Sequence, residues 1–426
     1  MRIFENLESE VRGYIRSFPT IFEKSKGAIL TDEQGEEFID FFAGAGTLNY
    51  GHNNEHVQEA LMEYLKKDGV VHGLDMATTA KKEFIQTFDE LILKPRNLEY
   101  KLQFTGPTGA NVVETALKLA RLIKGRSNIV AFTNGYHGLS QGALAVTGNN
   151  EYRDESYISR CNATFMPYDG YFGEVNTLEY FRKFLEDGSS GVDLPAAVIL
   201  ETIQGEGGIN VVSKEWLQEL ETICKEFDIL LIVDDIQVGN GRTGEFFSFE
   251  FAGINPDMVT LSKSIGGGLP MALLLFRPEL DQWKQGEHTG TFRGNNLAFV
   301  ASKVCLENYW QSDDLSNAVF YKEKILKEKL QEIAKKYEDE YTIDVRGRGL
   351  AYGFEVKEDK SIASEISEYA FKENLICETC GSQNQVVKFL PPLTISEDLL
   401  NEGLQRFENA VDKLFKDKKE KLTQEF

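Results

Sequence analysis

At 426 residues, 42% hydrophobic and 27% charged, the chain has room for roughly two or three domains and a large core, with no repeat or low-complexity block. A net charge of −22 argues against nucleic acid and anionic membrane surfaces as partners. No apolar run is long enough to span a membrane, Met1–Glu10 has no signal-peptide core and the five cysteines are scattered, so a soluble cytoplasmic protein is expected.

Up to about residue 70 the chain reads as short elements. An entry segment around Tyr14–Phe22 precedes a hairpin, Ala28–Thr31 and Glu37–Phe42, turning at Asp32–Gly35. The small-residue run Phe42-Ala-Gly-Ala-Gly-Thr-Leu-Asn-Tyr-Gly-His52 follows, then a helix near Glu55–Lys67. This part has no core of its own and is expected to pack with the C-terminal unit, so residues 1–70 are assigned to a small domain.

From 71 to 310 helices alternate with short apolar strands. The helices are expected at Thr79–Leu93, Ala110–Ile123, Val175–Glu186 and Lys214–Phe227. The strands are expected at Asn128–Phe132, Ala197–Leu200, Ile229–Val233, Met258–Leu261 and Ala272–Phe276. Near-continuous apolar strands separated by helices predict a mostly parallel sheet covered on both faces. Residues 311–426 read as a small α+β unit, with strands Tyr341–Arg346, Leu350–Val356 and Val386–Leu390 and helices Asp314–Lys336, Ile362–Lys372 and Glu397–Phe415. Within it Cys377-Glu-Thr-Cys380 is a lone C-x-x-C, without a second pair or nearby histidines for zinc, and is read as structural.

Chemistry-bearing residues gather at strand ends. Asp257-Met-Val-Thr-Leu-Ser-Lys-Ser-Ile-Gly-Gly-Gly-Leu-Pro270 places one amine, Lys263, between an apolar strand and a glycine run. An amine whose charge burial disfavours can attack a carbonyl. Gln103-Phe-Thr-Gly-Pro-Thr-Gly-Ala-Asn111 opens a helix and has the form of an anion cradle. Asn134-Gly-Tyr-His-Gly138 offers Tyr136 as a stacking ring, and Leu200-Glu-Thr-Ile-Gln-Gly-Glu-Gly-Gly208 holds two carboxylates, Glu201 and Glu206, that need partners if buried. Ile229–Val233 delivers Asp234 to its carboxyl end, where it requires a cation or a hydrogen-bond network, and Gln237 follows. Taken jointly, a phosphate cradle, an aromatic ring, a buried carboxylate, an amide and a lysine match the groups of pyridoxal 5′-phosphate. No metal site is expected.

On these stretches, together with Glu114-Thr-Ala-Leu-Lys-Leu-Ala-Arg121 and His288-Thr-Gly-Thr-Phe-Arg-Gly-Asn295, the chain resembles the class III aminotransferases, pyridoxal-phosphate enzymes of fold type I, over nearly its whole length. The resemblance implies an α/β fold with a mostly parallel seven-stranded sheet in the large domain and a small α+β domain. It implies that Lys263 holds the cofactor covalently and acts as base, and that Asp234 pairs with the pyridine nitrogen. Gln237 would bond the ring hydroxyl, and Tyr136 and Ile236 would cover the two ring faces. Thr108, Gly109 and Ala110 would cradle the phosphate, with His137 and Glu201 beside the cofactor. Thr291 would reach the phosphate of a partner subunit's cofactor, which implies at least a homodimer.

Within that family the chain is similar to the ectoine-pathway branch, on Arg16-Ser-Phe-Pro-Thr20, Phe42-Ala-Gly-Ala-Gly46, His72-Gly-Leu-Asp-Met76 and Asp234-Asp-Ile-Gln237. That branch moves the amino group of L-glutamate onto L-aspartate 4-semialdehyde. Substrate residues implied are Glu206, Lys388 in Val386-Val-Lys-Phe-Leu-Pro-Pro392, and Arg293. Two positions depart from related ω-aminotransferases: Lys388 stands where they carry an arginine, and Leu139 where some carry a carboxylate-binding arginine. Other ω-amino acids, or decarboxylation or racemisation on the same fold, would leave the cofactor contacts unchanged.

Overall fold

The computed structural model describes residues 1–157 and 161–424, with 422–424 described by backbone alone. The chain enters through an antiparallel meander, β1 (Phe22–Lys26), β2 (Ile29–Asp32) and β3 (Glu37–Asp40). The large unit then supplies β4 (Lys101–Phe104), β5 (Ile129–Phe132), β6 (Ala163–Met166) and β7 (Ala197–Leu200). A two-stranded ribbon of β8 (Ile203–Gln204) and β9 (Asn210–Val211) precedes β10 (Leu230–Asp234), β11 (Met258–Leu261) and β12 (Leu273–Phe276). The C-terminal unit contributes β13 (Ile343–Arg348), β14 (Ala351–Val356), β15 (Leu375–Ile376), β16 (Glu378–Cys380) and β17 (Val386–Phe389).

The central sheet has seven strands in the order β4-β12-β11-β10-β7-β5-β6. β12 runs antiparallel to both its neighbours, and the remaining pairs are parallel. The apolar runs are buried on both faces: Leu231 and Val233 join one core, Leu230 and Ile232 the other. Each such side chain contributes about 1.5–3 kcal/mol by leaving water. The second core is closed by the helix Gly109–Lys124, whose Val112, Val113, Ala116, Leu117 and Ala120 pack against it.

β4 and β6 lie at the sheet edges, and their half-exposed residues explain why neither shows the continuous apolar run of an inner strand. Two helices differ from expectation. The one starting at Thr79 leaves α-geometry after Phe88 for a π turn at Asp89–Leu93, and the last runs on from Glu397 to Gln424. Both cysteines of the C-x-x-C are buried and free.

The N-terminal strands are tied to the C-terminal unit, because β15 pairs in parallel with β3, Leu375 opposite Ile39. The C-terminal unit has its own antiparallel sheet, β13-β14-β17-β16. Arg242, fully buried in the loop after β10, joins these parts to the large unit. Its guanidinium donates to Asn49 Oδ1 at 2.6 Å, to the Leu350 carbonyl at 3.0 Å and to the Pro391 carbonyl. Burial pushes its pKa down to about 9. Replacing it strands three buried acceptors. Arg242→Leu is expected to cost about 3 kcal/mol or more, read as a lower denaturant midpoint.

Candidate active site

Carboxyl ends of the inner strands surround a cavity of about 400 Å³. β10 ends in Asp234, Glu201 directly follows β7, and Lys263 stands just past β11. All three line the cavity with Gly109, Ala110, Tyr136, His137, Glu206, Ile236 and Gln237. Loops after parallel strands converge here because the topology sends every crossover helix back from the same edge.

Lys263 opens a one-turn 3₁₀ helix with φ at 52°, a left-handed conformation that costs a non-glycine residue on the order of 1–3 kcal/mol. Its Nζ donates to the Ala45 carbonyl at 2.8 Å. Burial lowers its pKa, and the positive charge of Lys388 adds to that, against the pull of Glu206, Glu378 and Asp234.

Asp234 is 3% exposed and receives three hydrogen bonds. His137 Nδ1 lies 2.7 Å from Oδ2, while the Ile236 N–H and Thr260 Oγ1 each donate to Oδ1 at 3.2 Å. Burial alone would lower the pKa of His137; Asp234 and Glu201 outweigh it and raise it. Glu201 accepts from the N–H groups of Tyr136 at 2.9 Å and Gly205 at 3.2 Å. Its carboxyl is pushed up to about 7, by burial first and then by the charge of Asp234.

At the other end Gln237 Nε2 donates to the Ala45 carbonyl at 3.0 Å and to Glu206 Oε1 at 3.1 Å. A Cβ at Gly205 would stand 1.7 Å from Gln237 Oε1, so a larger residue there displaces that amide. Lys388 Nζ, wholly buried in β17, donates to Glu206 Oε1 at 2.7 Å. Glu378 Oε1 lies 2.9 Å from the same nitrogen.

The wall fits the cofactor expected from the sequence. Two buried polar atoms, His137 Nε2 and Gln237 Oε1, have no partner among the described residues. The first N–H groups of the helix at Gly109 and Ala110 have no carbonyl of that helix to bond, and both residues line the cavity. Ile236 lies close beneath this cradle, its Cδ1 3.2 Å from where a Cβ on Gly109 would be. Tyr136 also lines the wall and packs edge-on against Tyr152, ring centroids 5.7 Å apart.

Four expected residues lie outside the cavity lining, and of these Lys388 touches it through Glu206. Thr108 is exposed and caps the helix, its Oγ1 accepting from Asn111 N at 3.2 Å. Thr291 is exposed and outside the cavity lining. Arg293 is also outside it, donating to the His288 carbonyl at 2.9 Å. Leu139 lines the cavity as an apolar residue. Ala45, from the small-residue run, lines it too, as do Tyr14 and Tyr152, which were not anticipated: only the tertiary fold brings Tyr14 of the entry segment against strand ends more than a hundred residues away. Glu378 was hidden in the C-x-x-C; a lone carboxylate among apolar strand residues was its one signal.

The family model "Aminotransferase class-III" matches residues 13–411. A diaminobutyrate–2-oxoglutarate transaminase of Wolinella succinogenes is 60% identical, with 100% of this chain and 99% of that one covered. Another, of Oceanobacillus iheyensis, is 52% identical over 96% of each chain. Among solved structures, the ornithine aminotransferase of Toxoplasma gondii superposes with a TM-score of 0.85 at 23% identity, covering 98% of this chain and 95% of that one, which is a likeness of fold.

A carboxyl whose folded pKa lies above its unfolded value adds stability below the unfolded pKa and loses it as pH rises through the folded one. For Glu201 that window runs from its ordinary range up to about 7. The stability of Glu201→Gln relative to the parent should therefore rise across this window, measured by denaturant titration at a series of pH values.

Proposed function

The chain belongs to the class III aminotransferases, and from that premise we propose that it transfers the amino group of L-glutamate to L-aspartate 4-semialdehyde, giving L-2,4-diaminobutyrate and 2-oxoglutarate. It is an aminotransferase whose cofactor is pyridoxal 5′-phosphate. When bound, that group supplies an electron sink for the carbon losing its proton. Lys263 would hold it covalently, Asp234 would face the ring nitrogen with His137 behind, and Gln237 would meet the ring hydroxyl. Gly109 and Ala110, with Thr108 as the helix cap, would receive the phosphate. Tyr136 and Ile236 would enclose the ring, and Glu201 would fix the Tyr136 loop.

Proton transfer falls to Lys263. Burial lowers its pKa, and its Nζ opens into the cavity, so it can take the proton from the reacting carbon and hold it for return. Substrate choice falls to the opposite wall. Glutamate reacts at its α-amine and brings a second carboxylate, whereas the diamine reacts at its terminal amine and does not need that anchor.

The observation that carries this reading is the Glu206–Lys388 pair, 2.7 Å long, in which Glu206 lines the cavity and covers the ammonium. Glu206 would turn away when glutamate arrives and return for the diamine. Lysine is a point charge without arginine's fork, so this anchor holds a carboxylate less rigidly. Arg293 is the candidate for the other carboxylate, and Thr291 for contact with a partner subunit's phosphate in a homodimer. A cytoplasmic enzyme at the diamine-forming step of ectoine synthesis is the setting this reading implies.

The test is spectrophotometric. Glutamate and L-2,4-diaminobutyrate should each bleach the bound cofactor, ahead of ornithine and 4-aminobutyrate. A panel in which ornithine or 4-aminobutyrate reacts and diaminobutyrate does not would replace the substrate assignment. Lys263→Ala should abolish turnover, a loss of at least the 10²–10⁴-fold, in order of magnitude, that a positioned base supplies. Lys388→Ala should reduce kcat/KM for glutamate roughly 10–100-fold, the worth of a charged hydrogen bond to a carboxylate. An untouched glutamate half-reaction with a failed diamine half-reaction would refute the Glu206 switch.

A further inference from the structure

Lys388 has two carboxylates on it, and only one is explained by the switch. Glu378 and Lys388 are direct cross-strand partners on β16 and β17, which fixes the second carboxylate beside the ammonium. Glu206 lines the cavity; neither Lys388, at 0% exposure, nor Glu378, at 6%, does. Its Oε1, though 2.9 Å from Nζ, makes no hydrogen bond. Two carboxylates on one buried ammonium repel, and when the carboxylate of glutamate takes the place of Glu206 the displaced Glu206 stays in the cavity wall, so the site gains a negative charge that low dielectric disfavours unless one carboxyl is neutralised.

The surroundings leave few candidates for that proton. Glu206 is held down to about 2, with burial opposed by Lys388 and Lys263. Cys380, on the same strand as Glu378, is pushed up to about 12 by burial, and Tyr14 and Tyr152 are raised by burial too, so these stay neutral. Lys388 itself is raised well above its ordinary value by the two glutamates. Arg346, separated from Lys388 by Gly353 in the sheet, is taken by Asp344 at 2.6 Å and Glu355 at 2.7 Å. Glu378 is pushed from the carboxylate range to about 7, by burial first and then by Glu206; Glu201 is raised as far, but the charges that act on it are His137 and Asp234, at the other end of the cavity.

We propose that Glu378 is the proton store of this site: it takes a proton from water as the second carboxylate of glutamate settles on Lys388, and returns it when that carboxylate leaves. The O–H bond formed on Glu378 offsets the added negative charge, so Lys388 faces the substrate as an uncompensated cation. The proposal makes Glu378 a positioning residue acting through Lys388, and it rests on the reading that glutamate is the amino donor.

The test uses the holoenzyme and glutarate, a dicarboxylate with no amine to react. Glutarate binding, measured by calorimetry in buffers of differing ionisation heat, should take up a growing fraction of a proton as pH rises above the pKa of Glu378, approaching one proton about a pH unit above it, with on the order of a tenfold rise in Kd per pH unit there. Glu378→Gln mimics the protonated carboxyl and keeps an acceptor for Nζ. It should lose this proton uptake, flatten the Kd profile and bind glutarate more tightly than the parent at high pH. Glu378→Asp should keep the slope. A structural role would weaken binding at every pH and cannot produce that gain. Proton uptake that persists in Glu378→Gln, or glutarate binding lost at all pH values, overturns the proposal. If glutamate fails to bleach the parent holoenzyme, the functional reading itself fails, whatever Glu378 does.

Discussion

A carboxylate carried to the end of a wholly buried strand must find partners, and Asp234 finds them in His137, the Ile236 N–H and Thr260. That requirement organises the site. His137 must lie behind Asp234, so the loop after β5 has to turn inward, and this brings Tyr136 to the cavity wall. The Tyr136 N–H then meets Glu201 at the end of β7. One buried charge thus fixes the relative position of three strand ends, and Lys263 enters from the fourth.

The cavity has two electrostatic regions with different tasks. Near Asp234 one negative charge is balanced by His137, an arrangement suited to holding a ligand's proton in place. Near Lys388 two carboxylates share one ammonium, and the balance is left adjustable. Gln237 sits between, touching Glu206 on one side and the Ala45 carbonyl on the other; that carbonyl also receives Lys263. A shift at Glu206 is therefore felt at both the amide and the amine through contacts of 3.1 Å or less.

The inner strands were legible because burial on both faces leaves an unbroken apolar run, as in Leu230–Val233. The residues one step beyond them were legible for the same reason: polar groups after such a run stand at the sheet edge where ligands bind. β6 was not, and of β4 only the end before Gly106, because edge strands mix polar and apolar residues. Thr108 carried the signal of both a cradle and a helix cap, and its observed side-chain bond is the cap. Tyr14 carried no local signal at all. Its place on the wall depends on β3 pairing with β15, a contact between residues more than three hundred positions apart.

Glu378 shows how a motif can conceal a pairing. Read along the chain, it is the interior of a C-x-x-C; read across the sheet, it is the residue opposite Lys388. An arginine at 388 would stay charged under any burial, but a lysine buried this deeply loses its proton unless carboxylates surround it. A single carboxylate that must also move away would leave the ammonium alone in low dielectric each time it did so. A second, on the neighbouring strand directly opposite Lys388, cannot leave. The choice of lysine at the anchor therefore brings with it the need for a counter-charge that holds until the substrate's own carboxylate arrives, and the β16–β17 register places one there.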